Sequence, residues 1–121
     1  MARRAGFYNG DMMDDQQFRR ICDTTFEDLK KALFVAEESA DFETEESGGT
    51  ILVIFEEPAA KFVITPNNPV RQIWISALTS SFKLDWVVEK NEFVLNKTGE
   101  TLKPLVARLI NEQLQRQSVV L

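Results

Sequence analysis

The order of hydrophobic patterns along the chain limits its fold more than any other feature. Apolar residues recur at three- and four-residue steps from Asp14 to about Ser39, which predicts one long amphipathic helix. Six short β-type segments follow, near residues 41–45, 50–55, 61–65, 70–78, 82–88 and 93–95. Thr101 is then placed to cap a closing helix that carries apolar residues as far as Leu114. The predicted order is therefore α, six β, α.

This order predicts the fold class. Helices at the two ends of an uninterrupted antiparallel meander are expected to pack side by side on one face of the sheet. The expected fold is α+β, a two-layer sandwich with the N- and C-terminal helices on one face of an antiparallel sheet of about six strands. A chain of 121 residues suits one core. The predicted domain spans 13–117, between a flexible N-terminal tail at 1–12 and a C-terminal tail at 118–121.

Composition excludes several classes of function. The chain has no histidine and one cysteine, Cys22, which excludes an internal disulfide, a histidine-based triad and the usual zinc and copper ligand sets. The net charge of −5 argues against nucleic acid as a partner. No apolar run reaches the roughly 18 residues of a membrane span, and no signal sequence is recognisable. A cytoplasmic protein is expected, and any metal must bind to oxygen.

Carboxylates are concentrated where the first helix gives way to the first strand. Six of the ten residues from Glu37 to Glu46 are acidic. The two-residue period of a strand places Asp41, Glu43 and Glu45 on one face, with side chains about 7 Å apart. Such a row binds a hard cation weakly. The alternative is an edge strand that charge protects from aggregation.

A second candidate feature is the segment Gln72–Ser76. Alternation places Gln72, Trp74 and Ser76 on one side of a strand and Ile73 and Ile75 on the other. If the isoleucines meet the helices, Trp74 is exposed, as in a protein-binding hot spot. The alternative is a tryptophan partly covered by long neighbouring side chains.

Four groups of residues are informative when taken together: Gly48-Gly49 before an apolar strand, Gln72-Ile73-Trp74-Ile75-Ser76, Asp85-Trp86, and Thr98-Gly99-Glu100-Thr101-Leu102 at the start of the last helix. This combination resembles the frataxin family, in its bacterial branch. The likeness runs from about Asp14 to Leu114. It implies two terminal helices on an antiparallel sheet. It also implies weak binding of iron, as Fe2+ or Fe3+, on an acidic ridge, and regulation of iron-sulfur cluster assembly through the cysteine desulfurase and the scaffold protein.

The resemblance also implies site residues. The metal candidates are the acids on the first helix and first strand: Asp15, Asp23, Glu37, Asp41, Glu43 and Glu45. The partner-binding candidates are Asn67, Asn68, Arg71, Gln72 and Trp74. The chain departs from the family at Lys30, Lys31 and Phe34, where acids are usual, and at Arg19, where some bacterial relatives have histidine. Iron binding on the helix should therefore be weaker or displaced towards the strand.

Three functions remain open from the sequence. The first is an iron-binding regulator of cluster assembly that is not an enzyme. The second is an adaptor of the same machinery that works without iron, suggested by Lys30, Lys31 and Phe34. The third is a ferroxidase, although carboxylates on an open face lack the enclosed geometry of a di-iron site. A monomer is expected, with iron-driven oligomers as a further state.

Overall fold

The computed structural model describes residues 13–116 and 119–121. The helices are α1 (Asp15–Ala36) and α2 (Leu102–Leu114), and the strands are β1 (Glu43–Ser47), β2 (Thr50–Glu56), β3 (Ala59–Asn67), β4 (Gln72–Ala77), β5 (Ser80–Val87), β6 (Glu92–Leu95) and β7 (Glu100–Thr101). Short 3-10 turns at Asn68–Val70 and Val88–Lys90 connect β3 to β4 and β5 to β6. The tail predicted at 1–12 lies outside the described residues. No helix in the described part of the chain is both long enough and apolar enough to span a membrane.

Helix α1 starts at a complete capping box. The Asp14 carboxylate accepts a hydrogen bond from the Gln17 backbone N–H at 2.8 Å, and the Asp14 N–H donates to the Gln17 side chain at 3.1 Å. This exchange satisfies two backbone donors that a helix end leaves free. The helix ends at Ala36, three residues before the predicted end near Ser39. After Ala36 the backbone N–H groups of Glu38 and Ser39 donate to the carbonyls of Val35 and Ala36, a tighter three-residue pattern that ends the helix.

The sheet is an antiparallel meander in which every strand pairs with the next one in sequence. Gly48 and Gly49 form the two-residue turn between β1 and β2, with φ angles of 58° and 84° that glycine adopts without strain. The predicted sheet of about six strands is confirmed. The seventh strand, β7, has only two residues. It is too short to show the two-residue hydrophobic period by which a strand is predicted from sequence. Thr101 is the N-cap of α2, although its side chain makes no capping bond.

Both helices pack on one face of the sheet, as predicted. The largest fully buried side chains come from α1, α2 and five strands: Phe18, Phe62, Phe93, Leu29, Leu33, Ile51, Ile64, Ile73, Ile75, Leu84, Leu105 and Leu109. The rings of Phe18 and Phe93 meet edge to face at 6.0 Å, so α1 is joined directly to β6. Cys22 lies in this core, where burial, with a smaller contribution from Asp23, raises the pKa of its thiol to about 12.

The end of the chain lies against the domain. Val119 is 5% exposed, and its backbone N–H and carbonyl both bond to the side chain of Asn111, each at 3.0 Å. Residue 118 is outside the described part. Within the predicted tail at 118–121, Val119 therefore packs against α2 through Asn111, whereas Val120 is 89% exposed.

Thr44 supplies a first testable prediction. Its hydroxyl is buried and has no hydrogen-bond partner in the described structure. Burying an unpaired hydroxyl costs free energy that a methyl group of the same shape does not. We expect Thr44→Val to raise the free energy of unfolding by about 1 kcal/mol, measured by urea denaturation.

The control for this change is Thr50→Val on the neighbouring strand. The Thr50 hydroxyl shares a hydrogen bond of 3.0 Å with the Thr65 hydroxyl. The same substitution there should lower stability by about 0.5 to 1 kcal/mol. A loss of stability in Thr44→Val would contradict the assignment of an unpaired buried hydroxyl.

Candidate binding surface

The acidic edge is formed by β1, the first strand of the sheet. Glu43 and Glu45 are exposed on the face away from the helices, while Thr44 between them points inward and is buried. The predicted alternation is therefore present in β1. Asp41 lies before the strand, because β1 begins only at Glu43. Its side chain is 89% exposed and lies 3.7 Å from the guanidinium of Arg116.

Glu37 is positioned by the turn between α1 and β1. One of its carboxylate oxygens accepts a hydrogen bond of 2.8 Å from the backbone N–H of Thr44. This bond joins the end of α1 to the unpaired side of the edge strand. Glu37 therefore has a structural bond that a metal ion would have to share or displace.

Lys30 lies among the acids between α1 and β1. Its ammonium is 2.9 Å from a Glu27 oxygen and 2.8 Å from a Glu46 oxygen, and its side chain is only 19% exposed. The hydrogen bonds to Glu46 and to Glu27 raise the pKa of Lys30. The Lys30 ammonium is therefore a fixed positive charge between α1 and β1. It pairs with the carboxylates of Glu27 and Glu46, which would otherwise be available to a metal ion.

Asp15 holds the start of α1 against the β3–β4 turn. It accepts a hydrogen bond from the Asn68 amide at 3.2 Å and pairs with Arg19 at 2.9 Å and Arg71 at 3.9 Å. Arg71 also donates to the backbone carbonyls of Met13 and Asn68. The hydrogen bond from Asn68, helped by the two arginines, lowers the pKa of Asp15. A predicted metal ligand and two predicted partner residues therefore contact one another.

The lowered pKa of Asp15 predicts how stability changes with pH. The carboxylate stabilises the fold fully above its ordinary pKa of 3.8, and this contribution is lost as the pH falls through the lowered pKa. We expect the stability difference between the native chain and Asp15→Asn to stay constant from neutral pH down to about pH 4 and to shrink below it, measured by urea denaturation. Asp23→Asn on the same helix is the control. An unchanged difference would contradict the contacts assigned to Asp15.

The six metal candidates do not converge. In the ranges 13–116 and 119–121, no three Asp, Glu or Cys side chains are placed to hold one ion. Asp15, Asp23 and Glu37 lie along or just after α1, at separations of about 12 Å and 21 Å by the helix rise of 1.5 Å per residue. Only Glu43 and Glu45 share a strand face. The structure therefore offers exposed carboxylates rather than an enclosed metal centre.

Trp74 lies on the outer face of the sheet in a polar network. Its indole N–H donates to the Gln72 side chain at 2.8 Å, and the Gln72 amide donates to Asp85 at 2.9 Å. Asn96 donates to the other Asp85 oxygen at 2.8 Å. The Lys83 ammonium lies 4.8 Å from the centre of the Trp74 ring. Trp74 is therefore half-buried among long side chains, while Ile73 and Ile75 face the core as predicted.

The acidic edge and Trp74 occupy the same face of the sheet. Glu45 lies across from Leu52, Leu52 from Val63, and Val63 from Ser76. Ser76 is two residues from Trp74 and shares its face. Three strand spacings, about 14 Å, separate Glu45 from Ser76, and the offset of two residues along the strand places Trp74 about 16 Å from Glu45. The half-buried apolar side chains of Leu52 and Val63 lie between them.

The family model of the frataxin-like domain matches residues 11–116, which includes both helices and all seven strands. The chain belongs to the frataxin family. Frataxin from Psychromonas ingrahamii, a member of the CyaY protein family, has a similar fold, with a TM-score of 0.74 and 18% sequence identity over 86% of this chain and 94% of that chain. The frataxin family is linked to iron-sulfur cluster assembly.

Lys83 and Asn96 help to shape this frataxin surface but were not named from the sequence. Lys83 contacts Trp74, and Asn96 bonds to Asp85. Glu46 and Asp85 were named in the acidic stretch and in the resemblance but not as site residues, and they bond to Lys30 and Gln72. The three-residue spacing of Glu27 and Lys30 is a helical ion-pair signal that the sequence does contain. The contact of Lys30 with Glu46 has no such signal, because it depends on how α1 packs beside β1.

Proposed function

We propose that this frataxin binds iron weakly through Asp41, Glu43 and Glu45 and contacts the cysteine desulfurase and scaffold protein through the outer face of the sheet. The observation that supports this proposal is the placement of the Glu43–Glu45 edge and Trp74 on one continuous surface. A negative edge attracts a positively charged partner and speeds its association. The half-buried aromatic side chain supplies the anchor that such interfaces use.

The positions of these carboxylates favour weak and exchangeable binding of iron. Hard cations such as Ca²⁺ take about six to eight oxygen ligands in tight protein sites. Two or three carboxylates on an open surface supply only part of that number. Here the two strand carboxylates are exposed to water, Asp15 is held by Asn68 and arginines, and Glu37 is bonded to Thr44. Iron should therefore bind weakly and exchange readily.

An anaerobic titration with ferrous iron tests the metal part of the proposal. We expect the backbone amide NMR signals of residues 41–46 to broaden or shift, and the double variant Glu43→Gln, Glu45→Gln to lose the effect, because hard cations prefer charged oxygen ligands. The control is Glu89→Gln, Glu92→Gln, which removes the same charge from two exposed acids at the other end of the sheet. No signal change at millimolar iron would exclude an iron site on β1.

The bridge from Glu27 through Lys30 to Glu46 favours a second candidate, an adaptor that works without iron. A fixed ammonium already balances acids that face each other across α1 and β1. Desulfurase binding that survives both an iron chelator and the Glu43→Gln, Glu45→Gln change would favour this adaptor. Loss of binding on chelation would favour the iron-dependent regulator, whereas loss in the variant alone would indicate direct charge contact between the acidic edge and the desulfurase. Oxygen consumption per iron would separately detect a ferroxidase.

A further inference from the structure

Within residues 13–116 and 119–121, β1 is an edge strand, and its outer side pairs with no other strand. In a hairpin with a two-residue turn, the residues that flank the turn form a hydrogen-bonded pair, and this pattern repeats every second residue. Ser47, Glu45 and Glu43 therefore bond to β2, while Thr44 and Glu46 direct their N–H and C=O groups outward. The hydrogen bond from the Thr44 N–H to Glu37 agrees with this assignment.

One stripe of α1 runs beside this unpaired side. Lys30, Phe34 and Glu37 are spaced by four and three residues, which places them on one helix face. The first reaches Glu46 and the last reaches Thr44, so Phe34 between them lies beside the edge of β1. Phe34 is 43% exposed, which gives the edge an apolar side chain on the helix side and carboxylates on the outer side.

We propose that the open edge of β1 binds an extended segment of a partner protein in which basic and apolar residues alternate. The segment would add a strand to the sheet through the backbone groups of Thr44 and Glu46. Its basic residues would lie opposite Glu43 and Glu45, and its apolar residues would face Phe34. This inference rests on the proposed function, since it names the partner chemistry that suits the acidic edge, but it requires no iron.

Charge decides between such a partner and a second copy of this chain. Two copies of β1 paired edge to edge would bring the carboxylates of Glu43 and Glu45 close to one another on the outer face, and like charges opposite each other destabilise a sheet. A basic strand forms favourable cross-strand pairs at the same positions. The added strand also replaces the bond that it displaces, because its backbone carbonyl can accept from the Thr44 N–H in place of Glu37.

The experiment uses the full chain labelled with 15N and the peptide acetyl-Lys-Val-Lys-Val-Lys-Val-amide. We expect the amide signals of Thr44 and Glu46 to shift, and the exchange of these amides with solvent to slow. The first control peptide is N-methylated at each valine, which removes the donors that would face β1 but keeps the charge. It should bind at least about tenfold more weakly, because two backbone hydrogen bonds are lost. A second control peptide has glutamate in place of lysine and should not bind.

Two protein variants test the position of the segment. Phe34→Ser should weaken peptide binding several-fold, whereas Val35→Ser, at an adjacent side chain that is 68% exposed, should leave it unchanged. If the N-methylated peptide bound as tightly as the first peptide, charge attraction alone would explain the binding and the proposal would be overturned. Absence of any amide shift at millimolar peptide would overturn it as well. Neither iron nor desulfurase is in the sample, so this failure would leave the iron titration and the desulfurase assay unaffected.

Discussion

Replacing Phe18 with alanine is expected to lower the free energy of unfolding by about 3 to 5 kcal/mol. Phe18 is fully buried on α1 and meets Phe93 of β6 edge to face. The alanine would lose both the transfer free energy of the ring and its contacts, and would leave a cavity between helix and sheet. Urea denaturation followed by circular dichroism measures the loss, and the variant should begin to unfold at clearly lower denaturant.

The matched control is Phe34→Ala on the same helix. It removes the same ring from a position that is 43% exposed, so its effect on stability should stay within about 0.5 to 1 kcal/mol. The pair separates burial from helix propensity, because both changes place the same residue in α1. Equal losses at the two positions would mean that the buried face of α1 has been assigned incorrectly.

Replacing Trp74 with alanine is expected to weaken binding to the desulfurase and scaffold complex by about 2 kcal/mol or more, roughly 30-fold in Kd. The ring is half-buried on the outer face, and its indole N–H is already oriented by Gln72. A side chain fixed in this way loses little conformational entropy when a partner covers it. Calorimetric titration of the variant against the assembled complex measures the change, and its unfolding curve should remain close to that of the native chain.

Trp86→Ala is the control variant in which stability, and not affinity, is expected to change. Trp86 lies on the inner side of the sheet and packs on Phe93 at 5.1 Å between ring centres. Its loss should reduce stability by about 2 kcal/mol or more and leave affinity unchanged at temperatures where the variant is folded. Native affinity in Trp74→Ala, together with a large loss of stability, would show that Trp74 is a structural residue and not a partner contact.

The sequence by itself determined the elements and the faces of the domain. The long first helix from Asp14 and the alternation of Ile73 and Ile75 against Trp74 were both predicted, because helix and strand geometry repeat over a few residues. The antiparallel meander followed from the order of these patterns. The charged outer side of β1 was predicted for the same reason, and Glu43 and Glu45 are exposed there.

Only the tertiary structure decided which side chains meet. Lys30 bonds to Glu46 across 16 residues, and Asn68 bonds to Asp15 across 53. Periodicity predicts which way a side chain points. The residue that it contacts depends on how closely two elements pack and in what register. The acids that the sequence grouped into one ridge are therefore divided between ion pairs, a backbone bond and an open strand face. That division follows from helix-to-sheet packing, which no local pattern specifies.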